Sequence, residues 1–95
     1  ENVETKPEKQ NDNETLIIDV RTQGEFMNGA VPNAVNISLD DIMYGNADLG
    51  NNLNREIIVY CASGARSAYA QQVLMQRGYA NVQNGGGLAA MMSRN

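Results

Sequence analysis

The chain of 95 residues is predicted to fold as an α/β domain, a small mostly parallel sheet with helices on both faces. Three observations carry that expectation. Leu16–Val20 and Ile57–Tyr60 are continuous apolar runs rich in β-branched residues, the composition of strands buried on both faces. Around them, weaker strand patterns alternate with segments of helical period. Capping residues punctuate the alternation: Thr22 with Glu25 in capping-box spacing, and Gly78 just past a helical run.

Taken in order, residues 1–14 (ENVETKPEKQNDNE) are almost wholly polar and without period. They read as a disordered leader, either a tether or a frayed terminus, ahead of a domain over 15–95. The first strand, Leu16–Val20, carries Asp19 inside it. Thr22 then caps a short helix over 23–28 that buries Phe26 and Met27, and Gly29 closes it. Residues 31–34 form a turn, and the apolar/polar alternation of 35–39 predicts a short strand. Asp40 can cap a helical turn or two over 41–44, and 45–54 is a loop anchored by Leu49 and Leu53.

Ile57–Tyr60 should be the central strand. From Arg66 to Arg77, Ala70, Val73 and Leu74 recur at helical spacing with Tyr69 beside them. Residues 81–84 suggest a last short strand. Gly85–Gly87 reads as a flexible turn or a pocket rim, and 88–92 as a terminal helix with Met91 and Met92 as core filler.

Composition narrows the function classes. The net charge of −4 lacks the basic footprint of a nucleic-acid binder. No apolar run approaches the length that crosses a bilayer, so membrane insertion is not expected. One cysteine excludes an internal disulfide. The absence of histidine argues against a zinc site and removes Ser-His-Asp and Cys-His catalysis. No cofactor is implied, and a monomer is the default for a chain of this size.

The sole cysteine, Cys61, ends the central strand, where α/β folds place their ligands. Ala62, Ser63, Gly64 and Ala65 follow, all small, so the backbone can curl with its N–H groups pointing inward as an anion-binding nest. Arg66 stands where the next helix begins, and Ser67 can supply one more hydrogen bond. Only the thiolate of a cysteine is a good nucleophile, and positive potential favours it. The nest, the helix N-terminus and Arg66 provide that potential without a histidine. Gly64 should supply a positive φ or a close approach. Asp19 and Arg21 sit at a neighbouring strand end. Arg21 either reaches a substrate or, the favoured reading, forms a structural ion pair, for instance with Glu25 across one helical turn.

A set of motifs in fixed order carries a resemblance. They are Asp19-Val20-Arg21, Glu25-Phe26, Gly29 to Ile37, Val59 to Ser67, Gly78-Tyr79, Asn81-Val82 and Gly85-Gly86-Gly87-Leu88. Together they span about residues 15–92 and resemble a single-domain rhodanese, most like the small periplasmic phage-shock-type rhodaneses of bacteria. The resemblance implies a rhodanese-like α/β fold and a sulfurtransferase. Cys61 would be the nucleophile that carries a persulfide. Residues Ala62 to Ser67 would be the substrate cradle, with Arg66 closing it. The partners would be a small-molecule sulfane donor such as thiosulfate and a thiophilic acceptor such as cyanide or a thiol. The periplasm is the expected compartment, with the cytoplasm as alternative. One departure stands out: Ala30 occupies a place where many members carry histidine.

Two other functions compete. Rhodanese-like folds also serve as inert interaction modules, which would be expected to lack the cysteine this chain keeps. Cysteine-based phosphatases and arsenate reductases wrap a tetrahedral oxyanion with a loop one residue longer. Here only Ala62–Ala65 separate Cys61 from Arg66, which suits a single sulfur atom better. A thiol redox protein would need a resolving cysteine, and the chain has none.

Overall fold

The computed structural model describes residues 14–94, so all but the last residue of the proposed leader lies outside them. β3 (Ile57–Cys61) is buried at every position and lies inside a four-stranded sheet. Its companions are β1 (Leu16–Asp19), β2 (Val35–Asn36) and β4 (Val82–Gly87), in the order β2-β1-β3-β4, every pair parallel. The helices are α1 (Gln23–Met27), α2 (Leu39–Met43), α3 (Ala65–Gln76) and α4 (Leu88–Ser93).

The pleat divides β3 between two cores. Ile57, Val59 and Cys61 face a cluster with Ile18, Val20, Ile42 of α2, and Ala70 and Leu74 of α3. Ile58 and Tyr60 face the other side, with Met91 of α4 and partly buried Ile17, Val31 and Leu88. Helices therefore cover both faces of the sheet, as the alternation predicts. Cys61 comes out on the α3 side because it shares parity with Ile57 and Val59.

The structure corrects several local expectations. α1 buries none of its residues; Phe26 is only half-buried and Met27 is 74% exposed. The second strand shrinks to Val35–Asn36, because Ser38 caps α2 by accepting from the Asp41 N–H, the role expected of Asp40. Leu49 is buried, whereas Leu53 and Tyr69 are about half exposed. Met92 is exposed, leaving Met91 alone as core.

The largest correction concerns Gly85–Gly87. These residues are no flexible turn, since β4 runs through them beside β3. The register slips so that Val59 opposes Asn84 and Tyr60 opposes Gly86, leaving Gly85 as the extra residue of a bulge. A Cβ at Gly87 would lie 2.4 Å from the Ala62 carbonyl oxygen, and one at Gly85 2.3 Å from Met91 Sδ. The glycines let a strand pass directly under the Cys61 loop and under α4.

Candidate active site

β3 delivers Cys61 to the carboxyl end of the sheet, and the chain turns at once into α3. Gly64 is the N-cap of α3 with φ of 104°, a left-handed conformation that glycine adopts without penalty. A Cβ there would stand 3.4 Å from Gly86 Cα, ordinary contact, so of the two expected reasons for this glycine it is the positive φ that holds. No side chain of the cap residue itself bonds the first turn. The Cys61 sulfur takes that place. Its Sγ accepts from the Gly64 N–H at 2.9 Å and from the Ser67 N–H at 3.4 Å. The nucleophile candidate is thus the cap of the helix that follows it.

Ser67 completes the sulfur's surroundings. It is fully buried, and its hydroxyl lies 3.5 Å from Cys61 Sγ. The same hydroxyl is 2.6 Å from Asn84 Oδ1 and 3.1 Å from the Gly64 carbonyl. One proton therefore has three acceptors within reach. Asn84 also accepts from the Gly86 N–H and donates to the Gly64 carbonyl, tying β4 to the loop.

Burial pushes the Cys61 thiol up, but the Ser67 hydroxyl and the N–H groups of Ser67, Ser63 and Gly64 outweigh it and hold it down at about 7. The thiolate share near neutral pH is then larger than for an ordinary cysteine. Ser67→Ala removes the side-chain donor while leaving the backbone ones. The pH midpoint of Cys61 alkylation by iodoacetamide should rise by about 1 unit toward the ordinary thiol value. An unmoved midpoint would mean that the hydroxyl stays on Asn84 and never serves the sulfur.

Arg66 is placed differently from its expected role. Its guanidinium grips Glu25 at two points, Nη1 to Oε1 at 2.8 Å and Nη2 to Oε2 at 3.0 Å. That grip, with the Thr22 N–H, holds the Glu25 carboxyl down at about 2. The hydrogen bonds to Cys61 Sγ come from Gly64 and Ser67, while Arg66 acts on the sulfur through its charge and not through a hydrogen bond.

Arg21 does form an ion pair, but with Asp19 and not Glu25. Nε and Nη2 of Arg21 donate to the two Asp19 oxygens, Nη2 at 2.6 Å. Tyr60 OH donates to the same carboxylate at 2.8 Å and accepts from the Val31 N–H. Arg21 also reaches the Gly29 carbonyl. Asp19 is 0% and Arg21 6% exposed. The cluster fastens β1, β3 and the 29–31 turn beneath the site, and it does not face the Cys61 sulfur.

Glu25 and Asn84 are site residues the sequence reading did not select. Glu25 had a local signal, the capping box, which explained it without reference to Arg66. Asn84 had no signal, because its role depends on β4 lying beside β3. Among the described residues no group of three or more Cys, Asp or Glu side chains is placed to hold a metal ion. No described helix is long and apolar enough to cross a membrane.

Comparison with known proteins bears on the family and the fold. The model of the rhodanese-like domain matches residues 3–92. A sulfurtransferase of Allochromatium vinosum is 35% identical over 71 residues, covering 75% of this chain and 64% of that protein. The thiosulfate sulfurtransferase PspE of Escherichia coli is likewise 35% identical over 71 residues, covering 75% of this chain and 68% of that protein. Among solved structures, an E. coli rhodanese determined with anions superposes with a TM-score of 0.74 at 33% identity, over 80% of this chain and 89% of that one. A four-stranded parallel sheet, a cysteine capping the helix after its central strand, and a family match over nearly the whole chain converge: the protein belongs to the rhodanese-like domain family, among relatives named as sulfurtransferases.

Proposed function

We propose that the chain is a sulfurtransferase that moves a sulfane sulfur from thiosulfate or a similar donor to a thiophilic acceptor through a persulfide on Cys61. The Cys61 thiolate attacks the outer sulfur of the donor. A new S–S bond forms as the donor's own S–S bond breaks, and the leaving group departs with the electron pair, as sulfite if the donor is thiosulfate. An acceptor such as cyanide or a thiol then attacks the terminal sulfur, and Cys61 leaves as thiolate. No external oxidant or reductant enters either step. The N–H groups of Ser63, Gly64 and Ser67, on a loop of small residues from Ala62 to Ala65, are suited to stabilise the thiolate and the terminal persulfide sulfur.

The observation that carries this reading is the Cys61 sulfur held at the α3 N-terminus by two N–H groups, with its thiol lowered to about 7. We propose that the protein acts as a monomer and, on the resemblance to the phage-shock type, in the periplasm. The test is intact mass after incubation with a sulfane donor. The protein should gain the mass of one sulfur atom and lose it on adding cyanide or dithiothreitol. No gain with thiosulfate or with a persulfide donor would favour an inert module.

A further inference from the structure

The two described cations that follow the carboxyl ends of β1 and β3 are Arg21 and Arg66, and each is held by a carboxylate. Arg21 is buried against Asp19. Arg66 presents both of its outer nitrogens to Glu25, and the two side chains are 38% and 37% exposed, at the surface of the site. Beside Arg66 lies a cavity of about 140 Å³ lined by Val20, Thr22, Ser38, Leu39, Asp40 and Arg66. Asp40 is the carboxylate of that lining, and the Arg66 beside it carries Glu25. Glu25, Asp40 and Arg66 together carry one net negative charge, on a chain that is itself acidic.

A dianionic donor that reaches Arg66 therefore meets like charge there, and the arginine it would pair with is already taken. We propose that Glu25 is a specificity-determining residue. By occupying Arg66 it turns the site away from dianionic donors such as thiosulfate and toward sulfane donors of lower charge, the hydropersulfides of small uncharged thiols. Rejection here is built from a repulsive element and an occupied partner. This rests on the reading of Cys61 as persulfide carrier. With a hydropersulfide, the Cys61 thiolate attacks the outer sulfur of R–S–S–H, the donor S–S bond breaks, and R–S⁻ departs. The proton stays on the new Cys61 persulfide.

The capping box makes the test clean. The Thr22 N–H donates to Glu25 Oε1, and the Oε1 of a glutamine can accept the same bond. In Glu25→Gln, the ratio of kcat/KM for thiosulfate to kcat/KM for the hydropersulfide of 2-mercaptoethanol, with cyanide as acceptor, should rise about tenfold. A thermal melt checks that the variant is folded. An unchanged or lowered ratio overturns the proposal. The unaltered protein supplies a second test that needs no variant. Raising salt from about 0.01 M to about 0.1 M shortens the screening length about threefold. It should raise kcat/KM for thiosulfate more than for the hydropersulfide. A thiosulfate rate that falls with salt, as attraction to an open Arg66 requires, overturns the proposal as well. If both donors load Cys61 but neither test shows the difference, only the specificity claim fails. If neither donor ever loads Cys61, the sulfurtransferase reading fails and the claim with it.

Discussion

Asp19→Ala should destabilise the domain by about 3–5 kcal/mol, the cost of leaving one partner of a buried ion pair alone. The substitution strands the Arg21 guanidinium, 6% exposed, with the Gly29 carbonyl as acceptor, the Tyr60 ring 5.8 Å away, and the already paired Glu25 carboxylate acting on its charge from outside hydrogen-bond contact. It also leaves the Tyr60 hydroxyl without its acceptor. Small domains have about 5–15 kcal/mol in total, so the loss is a large share. Thermal or urea unfolding measures it, and a change below about 1 kcal/mol would show that the cluster is not the fastening described here. The pH dependence has a definite sign. Burial raises the Asp19 carboxyl, but hydrogen bonds from Arg21 and Tyr60 outweigh it, and the net direction is below the ordinary value. The pair's contribution is therefore complete at neutral pH, above the unfolded value. It is lost as pH falls through the folded one. Asp19→Ala should lose this component of acid sensitivity together with its stability.

Cys61→Ser should abolish sulfur transfer, lowering the rate by at least about a thousandfold, because no other group in the chain can carry a sulfane sulfur. The fold should survive. The serine oxygen can accept from the same Gly64 and Ser67 N–H groups that the sulfur uses as helix cap. Near-wild-type unfolding with no transfer and no mass gain is the expected combination. Retained transfer would sink the assignment of Cys61.

Much of this arrangement is legible in the sequence. The two apolar runs became β1 and β3, and Cys61 to Ser67 became a loop and helix start. Each of those signals is local: β-branched composition, a row of small residues, a change from strand to helix period. What was not legible depends on parallel register. Pairing of Asp19 with Tyr60 brings the tyrosine hydroxyl to the Asp19 carboxylate from 41 residues away. With Asp19 taking Arg21, Glu25 is left for Arg66, another pair 41 residues apart, so a plausible contact within one helical turn gave way to a tertiary one. The triple glycine misled for a related reason. Glycine marks either a turn or a close approach, and only the position of Ala62 over Gly87 tells them apart.

The seating of the loop on β4 bears on how this protein could change its chemistry. Gly87 meets the Ala62 carbonyl, Gly86 backs Gly64, and Asn84 holds the Gly64 carbonyl, so the cradle rests against the strand at successive points. One inserted residue would be the shortest route to a cradle wide enough for a tetrahedral oxyanion. That insertion cannot bulge toward the sheet at Gly87, where even a methyl group would collide with the Ala62 carbonyl. It would have to lift away from β4 and give up Asn84, and with it the neighbour that holds the Ser67 hydroxyl. Widening the loop and re-tuning the nucleophile are thus one mutational problem, solved together or not at all. The proposed sulfur transfer, if right, is held in place by a strand that contributes no nucleophile of its own.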